Sequence, residues 1–189
     1  MRKVKITVVL VLLILAGLWV WRYQKINAAY PNPVEKSAGI GETLQMSDLS
    51  FTLEDMSLLS GEQTEKLSPD FRAAEHPDGT PYAGDEIKTL VVKVEIKNTG
   101  SENMVLDFTR LVAESGAWRN GIHSELFYAL NPDLSIQTQS IKKGETIKAK
   151  LPFTMLYDMF KKKDWGKIEK RTFSMVLNLY PEKCMLVGK

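Results

Sequence analysis

The sequence contains little cysteine and little histidine, and these shortages exclude several kinds of site. Its single cysteine, Cys184, rules out an internal disulfide framework. No cysteine lies directly after the apolar N-terminal run, so a lipidated N-terminus is excluded as well. The two histidines, His76 and His123, give no Ser-His-Asp arrangement that spacing alone can identify, and we expect both on the surface. We therefore predict no catalytic site and no enzyme.

The sequence also lacks a recognised metal-binding pattern. Hard oxygen ligands for a divalent cation are available in one acidic loop, at Asp70, Glu75, Asp78 and Asp85. Their spacing matches no calcium-loop pattern, and a solvated loop is the alternative. Soft ligands for copper(I) would come from Met155, Met159, His123 and Cys184. No Met-x-Met or His-x-Met cluster supports them, and methionines four residues apart beside Leu156 are typical of a core. We predict no cofactor and no metal.

Positive charge is scarce outside the N-terminal segment. The chain holds 25 basic and 23 acidic residues, but its first 25 residues hold five bases and no acid. The remaining 20 bases and 23 acids give that part a net charge of about −3. A nucleic-acid binder would carry a basic face and a positive net charge, so we predict no nucleic-acid partner.

A long uncharged run, Ile6 to Trp21, opens the chain. As a helix it would span about 24 Å at ~1.5 Å per residue, a little less than the ~30 Å hydrocarbon core of a bilayer. Interfacial aromatic side chains and snorkelling bases after the run would cover the difference. We therefore predict a membrane anchor at residues 1–27. Its membrane-embedded and interfacial side chains include Val8, Leu10, Leu12, Leu13, Leu15, Trp19 and Trp21.

Retention of this segment is favoured over cleavage as a signal peptide. The alanines at 28 and 29 offer a poor cleavage site, and Arg22 and Lys25 lie between them and the apolar run. Three bases (Arg2, Lys3 and Lys5) in the short N-terminal tail favour an inside N-terminus. We expect a single-pass protein of the cell membrane with an extracytoplasmic C-terminal domain. The alternative is a protein secreted after signal cleavage.

The rest of the chain has the pattern of an antiparallel β-sandwich. Prolines 31 and 33 predict an extended tether over 28–40, followed by one domain over 41–189. Apolar residues recur with a period of two from Leu49 to Leu58, from Leu90 to Ile96 and from Phe173 to Leu179, with mostly polar residues between them. Weaker strand candidates are 104–108, 111–113, 134–140 and 146–154. Pro152 has no amide hydrogen to donate, so its strand should lie at a sheet edge or bulge.

Two stretches depart from this alternation. Residues 60–86 are long and polar with seven acids, and a loop of this length is usually functional or disordered. Residues 155–171 (MLYDMFKKKDWGKIEKR) predict a short helix with Leu156, Met159 and Phe160 on one face. Six bases crowd its second half. We propose it as a candidate interaction surface for anionic lipid headgroups, wall polymers or a protein. The residues of that surface are Lys161, Lys162, Lys163, Trp165 and Lys167.

Several turn motifs resemble those of bacterial extracytoplasmic immunoglobulin-like domains. The stretch VVKVEIKNTGSENMVLD ends a strand in an Asn98-Thr99-Gly100 turn, and KKGETIKAKLPF starts a later strand at Gly144-Glu145. Asn98 and Gly100 tolerate the positive φ that a tight reversal needs. IGETLQMSDLSFTLEDMSL is similar to the first hairpin of these domains, and FSMVLNLYPEK to the end of an uncharacterised family of Firmicutes membrane-anchored proteins.

This resemblance implies a mainly β, immunoglobulin-like fold from about residue 40 onward and carries no chemistry. The function we expect is that of a Gram-positive, membrane-tethered, non-enzymatic module that binds a protein or cell-envelope partner. An alternative is an accessory subunit of a membrane transport or sensing complex. No G-x-x-x-G helix-pairing motif in the apolar run supports that alternative. A secreted enzyme or metal-binding domain ranks below both.

Overall fold

The computed structural model describes residues 2–31, 33–68, 71 and 75–188. The chain divides into two units, Met1–Val34 and Glu35–Lys189. The helices of the described residues are α1 (Arg2–Ala29), α2 (Gly61–Leu67), α3 (Ser124–Leu130) and α4 (Lys162–Trp165). The strands are β1 (Val34–Ala38), β2 (Thr43–Met46), β3 (Leu49–Ser60), β4 (Ile87–Asn98), β5 (Met104–Leu106), β6 (Val112–Ser115), β7 (Trp118–Gly121), β8 (Gln139–Ile141), β9 (Thr146–Leu156), β10 (Ser174–Asn178) and β11 (Glu182–Val187).

The first unit is built from α1, which continues the apolar run to Ala29. Its stretch Ile6–Ala29 is long and apolar enough to cross a membrane. Every predicted anchor side chain, from Val8 to Trp21, is exposed along this helix. The rings of Trp19 and Tyr23 stack at 5.5 Å, and Lys25 Nζ lies 5.3 Å from the ring of Trp21. The side chains of Arg2, Lys3 and Lys5 lie outside the part that the structure describes.

The second unit is an antiparallel β-sandwich, as the alternation predicts. One sheet has the strand order β1-β11-β10-β6-β7 and the other has β2-β3-β4-β9, with a small β5-β8 ribbon beside them. The apolar faces of both sheets share one buried core, which includes Phe51 of β3, Val92 of β4, Phe153 of β9 and Met175 of β10. The strand predictions around Leu49, Leu90 and Phe173 are confirmed.

The four-stranded sheet explains two features of the sequence, the phase change in β3 and the position of Pro152. The apolar positions of β3 change phase after Leu53, and the strand carries a bulge between Leu53 and Asp55 at that point. Pro152 lies in β9, an edge strand of its sheet, as expected of a residue without an amide hydrogen.

In the five-stranded sheet, Leu179 lies beyond the end of β10 and is 46% exposed. The predicted alternation of that strand therefore stops at Leu177.

The segment predicted as a tether contributes a strand to the sandwich. Residues 34–38 are extended, as the two prolines predict, but they form β1 next to β11. Lys36 Nζ lies 2.7 Å from Glu182 Oε2 on that neighbouring strand. The sandwich therefore starts before the predicted boundary at residue 41, because an extended segment can supply hydrogen bonds to a sheet edge.

The polar stretch 60–86 begins with a helix that the alternation did not predict. Ser60 Oγ accepts a hydrogen bond from the Gln63 amide at 3.3 Å, and the Ser60 amide donates to Gln63 Oε1 at 2.9 Å. This capping box starts α2. Helix α2 packs on β4, where Thr64 Oγ1 lies 3.0 Å from Thr89 Oγ1 in the interior. A second, smaller apolar cluster around Leu126 of α3 lies beside it.

The two turn motifs of the resemblance form a single corner of the sandwich. The Asn98 amide donates to Glu145 O at 2.9 Å, and the Gly144 amide donates to Asn98 O at 3.1 Å. Neither Asn98 nor Gly100 uses the positive φ that its residue type tolerates, and the positive-φ glycine of this corner is Gly144. Gly100 is needed for space instead, because a Cβ there would lie 2.7 Å from Asp48 Cβ.

Candidate functional site

The basic segment, which we define as residues 161–171, follows directly from the end of β9. A 3₁₀ turn over Tyr157–Met159 leaves the strand, α4 follows, and a second 3₁₀ turn covers Ile168–Lys170. A short helix, α4, does lie in this stretch, but the predicted helical face is wrong, because Leu156 is the last residue of β9 and Met159 is 46% exposed. The strand register carries Leu156 into the sheet, so this residue cannot share a helical face with Phe160.

An aromatic cluster fixes the basic segment to the sandwich. The ring of Phe160 lies 5.9 Å from that of Trp118 and 5.6 Å from that of Trp165. Arg171 places its guanidinium 5.5 Å from the Phe160 ring and donates from Nη2 to Ser115 O at 2.7 Å. The segment is thus held at both ends, and its position depends little on its lysines.

Trp165 is half-buried in this cluster and is not a free anchor for a partner. Its Nε1 donates to the carbonyl oxygen of Asp85 at 3.1 Å, and its ring meets that of Tyr157 edge-on at 6.0 Å. This contact joins the basic segment to the end of the acidic stretch 60–86. Part of the indole therefore stabilises the fold, and its exposed edge is what a ligand could touch.

The remaining predicted surface residues, Lys161, Lys162, Lys163 and Lys167, are all exposed. Among the described residues, no salt bridge is recorded for these four lysines. A cavity of about 300 Å³ lies beside them, lined in part by Trp165, Lys88, Lys167 and Lys170. Lys88 is paired with Glu169 at 3.1 Å. The result is a fixed surface rich in unpaired ammonium groups.

A partly exposed ion cluster adjoins this surface at the same end of the four-stranded sheet. Ile87 of β4 pairs in register with Leu156 of β9, so Glu86 and Asp158 emerge close together just outside that pair. His76 lies between them, with Nε2 at 3.2 Å from Glu86 Oε2 and Nδ1 at 3.1 Å from Asp158 Oδ2. Its side chain is only 19% exposed. The prediction of a simple surface histidine is therefore wrong for His76.

The electrostatics of this cluster favour a protonated His76. Both ring nitrogens face carboxylate oxygens, and only the imidazolium donates from both nitrogens. Burial is the largest single influence on His76 and opposes protonation, but the hydrogen bonds with Asp158 and Glu86 together raise its pKa above the ordinary value. Tyr82 stacks on the ring at 3.8 Å and donates to Asp158 Oδ2 at 3.1 Å. This arrangement ties the acidic stretch to the end of β9.

His123 has a different, structural role. It precedes α3, and its Nδ1 accepts a hydrogen bond from the Leu126 amide at 3.4 Å. Its ring lies 5.1 Å from that of Phe71, and burial lowers its pKa. An acceptor nitrogen requires the neutral ring, so the lowered pKa and the cap agree. The prediction of a surface residue is wrong here too, because the histidine is half-buried under the smaller apolar cluster.

The two ligand sets that the sequence analysis considered are not assembled in the part of the chain that is described. No three His, Cys, Asp or Glu side chains among those residues form a group able to hold a metal ion. Asp78 Oδ1 instead accepts from the amide and the hydroxyl of Thr80, at 3.0 and 2.7 Å. Asp70 lies outside the described residues. Met155 and Cys184 are core residues, and burial raises the pKa of the Cys184 thiol.

A family comparison identifies the sandwich. A model described as a domain of unknown function, DUF5028, matches residues 35–184, from β1 into β11. The chain belongs to the DUF5028 family. The DUF5028 match begins one residue after the start of β1, which agrees with a sandwich that includes this strand. The prediction of an uncharacterised family is confirmed. The comparison with curated proteins gives no match.

Several solved structures resemble the DUF5028 chain at low identity. They include the yjhA protein of Bacillus subtilis (12% identity, 80% of this chain, 99% of that chain, TM-score 0.50). An uncharacterized β-sandwich protein of Clostridium difficile 630 covers similar extents (12% identity, 83% and 96%, TM-score 0.48). The chain spans only 37% of the length of the Bacillus subtilis ycdA protein (13% identity, 77% of this chain, TM-score 0.46). At these identities the likeness concerns the fold alone.

Proposed function

We propose that this protein is a membrane-anchored, non-enzymatic binding domain whose basic segment holds a phosphate-bearing anion of the cell envelope. The proposal rests on one observation: lysines without a salt bridge among the described residues lie on a segment that the fold holds in place. Lys161, Lys162 and Lys163 precede and open α4, on a segment that Phe160 and Arg171 attach to the sandwich. A ligand that binds there does not have to order the segment first, which lowers the entropic cost of binding.

The charge of the surface determines the class of ligand. The sandwich side of the chain is acidic overall, and the lysines of the basic segment are concentrated at one end of it. Ammonium groups bind phosphate as point charges and need no fixed bidentate geometry. Lipid headgroups and phosphodiester polymers of a cell wall share this chemistry. Each lysine near an anionic membrane surface contributes about 1 kcal/mol.

The extracytoplasmic position of the domain and its immunoglobulin-like character belong to the same proposal. Helix α1 supports a single membrane span by its length and apolar composition. An intact-mass measurement on the membrane fraction and on the medium tests retention of the helix. Full-length mass in the membrane supports the anchor, whereas a mass lacking the first ~28 residues in the medium contradicts it. Protease added to intact cells should remove the sandwich, and complete protection would refute the proposed topology.

The ligand is tested with the full chain held in nanodiscs of phosphatidylcholine. Association is measured with separate vesicles that contain phosphatidylglycerol, with neutral vesicles and with soluble polyphosphate. We expect binding to an anionic partner and none to neutral vesicles. Binding should weaken as salt rises, since surface charges more than ~8 Å apart are screened at physiological ionic strength. Binding to vesicles but not to polyphosphate would identify the ligand as a lipid headgroup. Binding to polyphosphate but not to vesicles would identify it as a phosphate polymer.

A charge-reversed variant and a matched control test the site. We expect K161E/K162E/K163E to weaken binding by at least roughly a hundredfold, from about 1 kcal/mol for each lysine. The control K97E/K142E/K143E makes the same charge change at exposed lysines around the far end of β4. It should change binding by less than about threefold, because distant exposed charges are screened. Equal losses in the two variants would show a general charge effect and would contradict a localised site.

A further inference from the structure

A second cavity, of about 710 Å³, lies at the sandwich end where β10 stops and the β5–β6 connection crosses. Its volume is within the ~300–1,000 Å³ range of small-molecule sites. Part of its wall belongs to the core, since Leu106 and Leu177 line it and are also members of the main apolar cluster. The cavity is therefore lined in part by core side chains at the end of the sandwich.

The mouth of this cavity keeps large apolar side chains in contact with solvent. Val105 is 66% exposed and Leu179 is 46% exposed, and both line the cavity. Val112 and Val176 extend the same apolar wall across β6 and β10. A ligand with an apolar body would remove these side chains from water, and burial of apolar surface is favourable in proportion to its area.

Two arginines give the cavity a positive charge. The Arg110 side chain is 84% exposed and that of Arg119 is 47% exposed. Arg110 Nε lies 3.3 Å from Asp107 Oδ2, and Arg119 Nη2 lies 2.6 Å from Glu114 Oε2. Each contact engages one guanidinium nitrogen, and among the described residues no bond is recorded to the other nitrogens. The remaining N–H donors match the planar oxygens of a carboxylate or phosphate.

Glu114 is shared between Arg119 and Lys183. Glu114 Oε1 accepts from Lys183 Nζ at 2.5 Å, and Lys183 Nζ also lies 3.8 Å from Glu35 Oε1. Asp107 is the only acid that lines the cavity among the described residues, and it opposes the two arginines. The side chains that line the cavity, two arginines and one aspartate, therefore carry a net charge of +1 beside an apolar wall.

We propose that this cavity binds a small amphipathic anion, with its alkyl or ring portion against Val105 and Leu179 and its anionic group at Arg110 and Arg119. The ligand class is a carboxylate or phosphate ester with an apolar body. The site lies outside the basic segment and does not depend on the function proposed for that segment. It gives the domain a small-molecule ligand in addition to an envelope partner.

The test uses the full chain in nanodiscs with methyl-labelled valine and leucine, so that binding in the cavity is separated from partition into lipid. Octanoate is titrated, and the methyl resonances of Val105, Val112 and Leu179 are followed. We expect saturable shifts of these resonances with octanoate. Octanol and octylammonium should bind at least about tenfold more weakly, because they lack the charge-assisted hydrogen bonds. Absence of saturable shifts, or equal binding of all three amphiphiles, would overturn the proposal.

Variants of the cavity residues test where the anionic group and the apolar body of the ligand bind. R110Q/R119Q should weaken octanoate at least about tenfold and should leave octanol unchanged. D107N should strengthen octanoate, since it removes the opposing carboxylate and keeps an oxygen for the Thr109 cap. V112W should fill the cavity and abolish binding of both compounds. If V112W does not fold, the arginine and Asp107 variants decide alone, and unchanged octanoate affinity in R110Q/R119Q refutes the site. K142Q/K143Q is the matched charge control.

Discussion

Trp165 and Asp85 connect two stretches that the sequence shows as separate departures from the β pattern. The indole Nε1 of Trp165 donates to the carbonyl oxygen of Asp85 at 3.1 Å, across 80 positions of sequence. The basic segment and the end of the acidic stretch thereby form one face at the end of β4 and β9. Asp85 is followed directly by Glu86, which pairs with His76, so the basic segment and the ion cluster adjoin each other.

The Trp165 contact should contribute measurably to stability. W165F removes the N–H donor and keeps a ring beside Phe160, so we expect a loss of about 1 kcal/mol in the free energy of unfolding. W165A also removes the ring packing and should cost roughly 2 kcal/mol. Urea unfolding of the full chain in neutral detergent measures both. Y128F, at an exposed ring on α3, is the control and should stay within about 0.5 kcal/mol. Equal stability of W165A and the parent chain would show that the indole is not part of the fold.

The two histidines should titrate on opposite sides of the ordinary value of about 6.5. The carboxylates of Asp158 and Glu86 raise the pKa of His76 in spite of its burial, whereas burial lowers the pKa of His123. Imidazole proton resonances followed against pH give both pKa values, and the variants H76Q and H123Q assign them. The reverse order of the two pKa values would contradict the ion cluster around His76.

The same shifts predict how stability depends on pH. The folded-state pKa of His76 is raised, so its contribution is fully present below about pH 6.5 and is lost as pH rises through the higher folded value. The ionisable groups that face it are Glu86, Asp158, Tyr82 and Asp78. We therefore expect H76Q to destabilise the chain more at pH 6 than at pH 8.5. Urea unfolding at both pH values measures the difference, and a larger effect at the higher pH would refute the sign.

His123 gives the opposite dependence and serves as an internal comparison. Its folded-state pKa is lowered, so the neutral ring contributes stability above about pH 6.5 that is lost as pH falls through the lower folded value. H123N keeps a side-chain acceptor before α3 but does not titrate. The stability of H123N should therefore depend less on pH between 5 and 6.5 than that of the parent chain. An unchanged slope would show that His123 is not the titrating group in this window.

The sandwich could be predicted because half-buried strands have a two-residue period. Leu90, Val92, Val94 and Ile96 occupy every second position of β4, and all four lie in the shared core. The edge position of Pro152 followed from its missing donor. Helix α2 could also have been predicted, because Ser60 and Gln63 have the spacing of a capping box, which an analysis of apolar alternation does not consider. β1 had no signal beyond its extended character.

The candidate site could be predicted only in part. Lys161, Lys162 and Lys163 are consecutive and Lys167 follows four residues later, so their concentration of positive charge could be read from the sequence. The ion cluster was not, because His76, Glu86 and Asp158 come from three segments that meet only through the register of Ile87 with Leu156. The cavity at Arg110 and Arg119 likewise depends on where β10 ends. Spacing in sequence holds no information on such contacts until the strand pairing is known.

Asn98 offers the sharpest test of the corner that joins the two turn motifs. Its buried Nδ2 donates to Glu102 O at 2.7 Å and to Ile141 O at 3.0 Å, and its Oδ1 accepts from the Gly100 amide at 2.9 Å. N98A leaves these groups unpaired in the interior, so we expect a loss of about 3 kcal/mol in the free energy of unfolding.

Asn103 is the matched control in the same corner, since it is exposed and its Oδ1 accepts a single bond from the Lys143 amide at 3.1 Å. N103A should cost less than about 1 kcal/mol. N98D keeps the acceptor for Gly100 but removes both donors and buries a charge, so it should be at least as harmful as N98A. If N98A and N103A cost the same, the network at Asn98 does not hold the corner, and its apolar surroundings would have to do so.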